Sequence, residues 1–220
     1  MVRRRLRREP VAYIVGRKGF RHLDLAVDRR VLIPRPETEL LVEVALERQP
    51  ASVLDIGTGS GAIALAVADE LPGCEVTATD TSPRALEVAG ANAERLGLAD
   101  RVRFLAGTVP AAEEFDLVLA NLPYVAESEW GGLQREVTEW EPREALLAGR
   151  DGLDAYRALM PQLERASARN PGGSAFAVVA LEVGEGQGTA VMQLLEAAGY
   201  LSVHRLKDLA GIERVVLGER

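Results

Sequence analysis

From residue 51 onward, short apolar runs alternate with stretches whose apolar positions recur every three or four residues. The runs at 53–56, 75–79, 102–105, 115–120 and 175–181 are bounded by polar or glycine-containing segments and predict buried strands. The periodic stretches at 62–70, 83–96, 153–168 and 187–198 predict helices. Ser82-Pro83 opens the second of these, with proline in the first turn, where its missing N–H costs nothing. Asn170-Pro171-Gly172-Gly173 predicts a turn after the third. Two last strands, 201–206 and 213–218, flank Asp208-Leu209-Ala210-Gly211 and are close enough to pair as a hairpin. Strand–helix alternation implies an α/β fold, a mostly parallel sheet with helices on both faces; the terminal hairpin implies one antiparallel strand at its edge.

The first fifty residues differ. Residues 1–10 predict the end of a basic helix stopped by Pro10. Residues 11–33 alternate apolar and polar positions, as in Leu23-Asp24-Leu25-Ala26-Val27, which predicts a short hairpin. After Pro34 and Pro36, Thr38 is placed to cap a helix reaching about Arg48, with Leu40, Leu41, Val44 and Ala45 at helical spacing. The division expected is 1–33, a basic helix and hairpin linker, and 34–220, the main domain. Residues 125–150 are polar, with few periodic apolar positions. That is long for an ordinary connection and predicts a lid or substrate loop, in which Trp130 and Trp140 suit core packing or substrate contact equally.

Composition narrows the class. With 220 residues, 47% of them hydrophobic, the chain can bury a sizeable core in one domain. Its net charge of −7 argues against a general nucleic-acid binder, although Arg3, Arg4, Arg5, Arg7 and Arg8 form a local basic run. Cys74 stands alone, so a disulfide within the chain is excluded and a reducing cytoplasm fits. The N-terminus is too charged for a signal peptide, and no apolar stretch reaches membrane-spanning length, so no membrane partner is expected. His22 and His204 show no metal-ligand spacing.

Two motifs carry chemistry. Strand 53–56 opens into Gly57-Thr58-Gly59-Ser60-Gly61, a turn that lets a nucleotide-type cofactor approach the backbone. Asp55 precedes it, suited to accept from an ammonium or to orient the loop. Asp80 ends the next strand, suited to accept from two ribose hydroxyls. Gly57, Gly59 and Ala62 also satisfy the dinucleotide fingerprint, so a nicotinamide dehydrogenase stays open on glycines alone. The second motif, Asn121-Leu122-Pro123-Tyr124, follows strand 115–120. It offers a side-chain amide, a main-chain carbonyl stiffened by proline and an aromatic face, three groups that capture a planar NH2. Together the motifs point to methyl transfer from S-adenosylmethionine to an amide or exocyclic amine nitrogen. Glu182 ends strand 175–181 on the same edge, where support of the site and a solvated strand end are both open.

The chain resembles the release factor glutamine N5-methyltransferases, the HemK/PrmC family of class I methyltransferases. The resemblance rests on Arg8-Glu9-Pro10 with Ala12-Tyr13-Ile14, on Leu32-Ile33-Pro34-Arg35-Pro36-Glu37-Thr38-Glu39, and on 55–64 and 115–124. It continues through Glu141-Pro142, Gly149, Asp151-Gly152-Leu153-Asp154-Ala155-Tyr156-Arg157 and Lys207-Asp208-Leu209-Ala210-Gly211. It implies a seven-stranded sheet and S-adenosylmethionine held by Asp55, Gly57, Thr58, Gly59, Ser60, Gly61, Asp80 and Asn121, with Thr108 and Val109 beside the adenine. It implies that Asn121, Leu122, Pro123 and Tyr124 present the acceptor, the glutamine of the Gly-Gly-Gln loop of class 1 peptide chain release factors. Leu122 stands where the family usually has a second proline; only its carbonyl is needed. Gly107-Thr108-Val109 stands where the family often has an acidic residue. Family members usually carry a helical domain before the hairpin; residues 1–10 match at most its last basic helix, which leaves a truncated sequence and a minimal recognition surface equally open. Asn-Leu-Pro-Tyr is also similar to the motif of rRNA adenine dimethyltransferases, which makes adenine N6 methylation of RNA or DNA the alternative. The acidic net charge and Pro-Arg-Pro-Glu-Thr favour protein glutamine, with no nucleic-acid partner. Intact Asn121 and Tyr124 speak against a non-catalytic cofactor-binding module.

Overall fold

The computed structural model describes residues 1–111, 113–168 and 177–220, without the side chains of 166–168. The chain begins with helices α1 (Val2–Arg5) and α2 (Val11–Val15), the hairpin β1 (Arg17–Phe20) and β2 (Leu23–Ala26), and α3 (Glu39–Arg48). The alternating part follows as β3 (Ser52–Ile56), α4 (Ala62–Glu70), β4 (Glu75–Asp80), α5 (Pro83–Leu96), β5 (Val102–Ala106) and β6 (Leu117–Ala120). After a short helix α6 (Arg135–Thr138) come α7 (Asp154–Ala168), β7 (Val178–Glu182), α8 (Gly188–Ala197), β8 (Ser202–Lys207) and β9 (Glu213–Glu219). The turn expected at Asn170-Pro171-Gly172-Gly173 and the start of strand 175–181 lie outside the described residues.

Seven strands form one sheet in the order β5-β4-β3-β6-β7-β9-β8. Residues of α3, α4 and β3 build the core on one face, while α7 and α8 cover the other with Tyr156, Leu163, Val191 and Leu195. The order reverses between β3 and β6, the kind of switch point where open α/β sheets bind ligands. Their parallel register pairs Ile56 with Ala120, so Gly57 and Asn121 leave the sheet side by side. Asp80 ends β4 and Glu182 ends β7 on the same C-terminal edge. Two loops far apart in sequence thus become neighbours, and the cause is the register itself.

Four expectations change. The terminal strands do pair antiparallel, but the antiparallel strand β9 is not at the edge: it sits between β7 and β8, antiparallel to both. Burial explains the choice. Val215, Val216 and Leu217 are buried, whereas β8 is mostly exposed, so the more apolar strand takes the inner slot. Residues 11–15 form a helix rather than joining the hairpin, because a five-residue β-branched segment carries no legible helical period. Strand β6 begins at Leu117; Asp116 instead accepts the amides of Ala51 (2.8 Å) and Ser52 (3.0 Å) and fixes the start of β3. Thr38 sits at the start of α3, but its hydroxyl caps nothing and is used elsewhere.

Buried polar groups bind the hairpin to the sheet. Asn92, fully buried on α5, accepts from the Ala26 amide (2.7 Å) and donates to the carbonyls of Ala26 (3.0 Å) and Ser60 (2.9 Å). Its amide is satisfied on both ends, as burial requires. The basic N-terminal run has partners within the chain: Arg4 pairs with Glu9, and Arg5 and Arg8 with Glu136. Among the described residues no helix is long and apolar enough to cross a membrane.

Candidate active site

The glycine turn is held from below by Asp55. Its Oδ2 accepts from the Thr58 hydroxyl (2.6 Å) and the Ala64 amide (3.2 Å), so it orients the loop and the start of α4. Its Oδ1 has no partner, and full burial pushes the carboxyl up to about 7. Thr58 and Ser60 are buried with it, and the Ser60 carbonyl takes the Asn92 bond. Gly61 is left-handed at φ +85°, and a Cβ there would stand 2.8 Å from Leu65. Asp55, Thr58, Ser60 and Gly61 therefore build the loop, while Gly57 and Gly59 line the cavity above it.

That cavity has a volume of about 280 Å³ and is lined by Gly57, Gly59, Asp80, Thr108, Asn121, Leu122 and Pro123, together with Ile56, Ala85 and Leu159. Asp80 accepts from the Gly59 amide (2.9 Å) and from the Ser82 amide (2.8 Å), one bond on each oxygen. The cap of α5 is Ser82 instead, whose hydroxyl oxygen accepts from Ala85 N at 3.3 Å. Each Asp80 oxygen keeps lone-pair capacity for a further donor, two in all, which suits a diol. The Thr108 hydroxyl donates to Gln162 Oε1 on α7, a contact no motif marks. Val109 packs against the adjacent core and does not line the cavity. Apolar walls with a carboxylate at one side and positive-φ glycines beneath fit a nucleoside-bearing cofactor.

A second hollow of about 170 Å³ adjoins the first; Asn121 lines both. Its other walls include Tyr124, Val125, Leu133, Val137 and Arg35. Tyr124 is largely buried, and burial raises its phenol to about 12, so it stays protonated at neutral pH. Its carbonyl accepts from Gln187 Nε2 at 2.8 Å, and Gln187 Oε1 accepts from Gly184 N at 3.0 Å. The approach of these groups leaves no room for a side chain at Gly152, whose Cβ would lie 2.3 Å from the Tyr124 carbonyl oxygen. The Asp-Gly-Leu-Asp stretch thus shapes the loop after β6. Gln187 lies in no recognisable motif, and only the fold reveals its part.

The segment 125–150 is a set of short helical turns with a bridge between Val125 and Leu147. Glu141, buried, accepts from the Ile33 amide (3.0 Å) and pairs with Arg35, tying the segment to the Pro-Arg-Pro-Glu-Thr stretch. Pro142, Glu144 and Ala145 reach the wall of the larger cavity. Trp140 stacks under Arg29 at 4.4 Å and packs on a small core, whereas Trp130 lies under Arg143 at 5.2 Å. Glu182 is no solvated strand end: it is 2% exposed, and burial raises its carboxyl to about 7.

Known proteins share this fold and much of this sequence. The methyltransferase small domain family matches residues 36–137, a span holding the glycine turn, Asp80 and Asn121. The human Mettl16 catalytic domain, solved in complex with the MAT2A 3′UTR hairpin 6, superposes with a TM-score of 0.69 at 16% identity, covering 89% of this chain and 74% of that one. A methyltransferase from Pyrococcus furiosus gives 0.64 at 22% identity over 99% of this chain and 96% of its own. These two share the fold. Sequence relatives are nearer. The release factor glutamine methyltransferase of Gloeobacter violaceus is 47% identical over 94% of this chain and 73% of its own length. That of Geobacter sulfurreducens is 43% identical over 99% of this chain and 76% of its own. With identity of this level across nearly the whole chain, the protein belongs to the release factor glutamine methyltransferase family.

Proposed function

We propose that this protein transfers a methyl group from S-adenosylmethionine to the side-chain amide nitrogen of the glutamine in the Gly-Gly-Gln motif of class 1 peptide chain release factors. The observation that carries the reading is the place of Asn121, in the wall between a cavity suited to a nucleoside and a smaller hollow beside Tyr124. The names of the relatives supply the release factor as acceptor.

Gly57, Gly59, Asp80, Thr108 and Leu122 would hold the cofactor. When bound, S-adenosylmethionine supplies an electrophilic methyl group on sulfur. An amide nitrogen is a poor nucleophile, because its lone pair is delocalised into the carbonyl, so the task of the residues is positioning. The Asn121 side-chain oxygen accepts one N–H of the glutamine, and the Leu122 carbonyl accepts the other. The Tyr124 ring lies against the planar amide. Together they aim the remaining lone-pair density at the methyl, a kind of alignment that supplies roughly 7–11 kcal/mol. No strong base is needed, and the neutral Tyr124 phenol offers none.

The test is incubation of the chain with a class 1 release factor, total RNA and methyl-labelled cofactor. Label on the Gly-Gly-Gln glutamine is expected. Label on adenine N6 alone contradicts the reading.

A further inference from the structure

The reading above, on which this inference rests, needs the oxygen of Asn121 turned to the acceptor nitrogen. A planar amide fits most sites either way round, so something must choose its orientation. Asn121 Nδ2 donates to Thr38 Oγ1 at 3.0 Å. Thr38 is 3% exposed and owns a single proton; beside it Glu182 is 2% exposed and its buried Oε2 has no hydrogen-bond partner, which makes that carboxylate the acceptor at hand for the proton. A hydroxyl that gives its proton to one neighbour can only accept from the other.

We infer that Thr38 and Glu182 form a positioning relay that locks the Asn121 amide with its NH2 inward and its oxygen toward the acceptor nitrogen. The relay joins three separate places: the start of α3, the end of β6 and the end of β7. It gives Glu182 a use that a buried carboxylate at a strand end otherwise lacks. It also explains why Thr38 forms no cap bond at α3. Asn121 touches the substrate; Thr38 and Glu182 act through it.

The direction of the chain of bonds depends on Glu182 being ionised. Once protonated, its carboxyl can itself donate, Thr38 is released to turn its proton on Asn121, and the amide can flip. Burial already raises this carboxyl to about 7. The charges facing it are Glu37, which raises it further, and Arg214 and Arg35, which lower it; Tyr124 and Tyr156 stay neutral beside it. Transfer should therefore show an acid limb near neutrality that belongs to Glu182.

The experiment compares wild type with Thr38→Val, Thr38→Ser and Glu182→Gln. Single-turnover transfer to release factor is measured at saturating cofactor between pH 5.5 and 9, and side-chain amide NMR of Asn121 is recorded in the ligand-free full chain. Thr38→Val should slow transfer by about a hundredfold while its affinity for S-adenosylhomocysteine stays within about threefold of wild type. Thr38→Ser should restore the rate to within about threefold. Glu182→Gln should abolish the acid limb. In the NMR spectrum, one Asn121 amide proton should be shifted and slow to exchange in wild type and Thr38→Ser, and ordinary in Thr38→Val. Full activity in Thr38→Val, a Thr38→Ser variant as slow as Thr38→Val, or an Asn121 signal indifferent to both overturns the relay. A wild type with the NMR signature that methylates no glutamine overturns the functional reading and leaves the relay standing.

Discussion

Gln187 grips the main chain of Tyr124: its Nε2 donates to the Tyr124 carbonyl at 2.8 Å while its Oε1 accepts from Gly184 at 3.0 Å. One side chain so joins the loop after β6 to the loop after β7. Gln187→Ala leaves two half-buried backbone groups unpaired, which costs about 1–3 kcal/mol. It should also slow transfer, since Tyr124 loses its anchor, with little change in cofactor affinity. Urea unfolding and single-turnover rates check both. Wild-type stability together with a wild-type rate would remove Gln187 from the site.

Gly152 is left-handed at φ +77°, and an added Cβ would meet the Tyr124 carbonyl oxygen at 2.3 Å and Gln187 Nε2 at 2.5 Å. Both strain and collision oppose a side chain, so Gly152→Ala should destabilise by about 1–3 kcal/mol or displace the Asn121 loop. Gly131, with nothing within 4 Å, is the control, and its alanine variant should behave as wild type. Thermal unfolding with transfer rates decides; a Gly152→Ala variant equal to the control contradicts the close packing.

The sheet was legible from residue 51 onward because buried parallel strands are continuous apolar runs and the helices between them keep their period. Helices α4 and α5 fall on the expected residues, 62–70 and 83–96. Gly57, Asp80 and Asn121, singled out by the glycine turn, the strand end and Asn-x-Pro-Tyr, do meet at one cavity, because all three leave the same edge of the sheet. Other features depend on long-range contacts and leave no local pattern. The inner place of β9 follows from relative burial of two strands. The roles of Thr38, Gln187 and Asn92 depend on partners 83, 63 and 66 residues away. Thr38 misleads most: a threonine before a helix signals a cap, and here its hydroxyl is committed to Asn121 instead.

Asp80 should bind the ribose of the cofactor. Asp80→Ala should weaken S-adenosylmethionine by about 1.5–3 kcal/mol, the scale of a hydrogen bond to a charged group. It also frees the amides of Gly59 and Ser82, so a lower Tm is expected alongside. Calorimetry gives the affinity. A variant that loses stability but binds cofactor as tightly as wild type would confine Asp80 to the loop.

Two buried carboxyls, Asp55 and Glu182, are raised by burial to about 7. In the unfolded chain both titrate near about 4. The folded state therefore holds more protons between these values. The stability they contribute is fully present below about 4 and is lost as pH rises through about 7. Glu136 and Asp151 act oppositely, held down to about 2 by Arg5 and Arg157, but both are at the surface and count for less. The Tm of wild type should fall between pH 4.5 and 7.5, and Asp55→Asn should flatten part of that fall. Calorimetric scans across the window test it; a wild-type Tm that rises steadily with pH would show that neither group is desolvated as described.

The central claim is that Asn121 orients the acceptor nitrogen across the wall between the two hollows. It is tested most directly by single-turnover methylation of a class 1 release factor at saturating cofactor, with Asn121→Ala and Asn121→Asp beside wild type. Both variants should bind cofactor nearly as wild type does. Asn121→Ala removes the accepting oxygen. Asn121→Asp removes the NH2 that Thr38 accepts and sets a second carboxylate near Glu182. Both should transfer at least about a hundredfold more slowly, with product mapped to the Gly-Gly-Gln glutamine. An Asn121→Ala rate within about threefold of wild type on that glutamine would contradict the account.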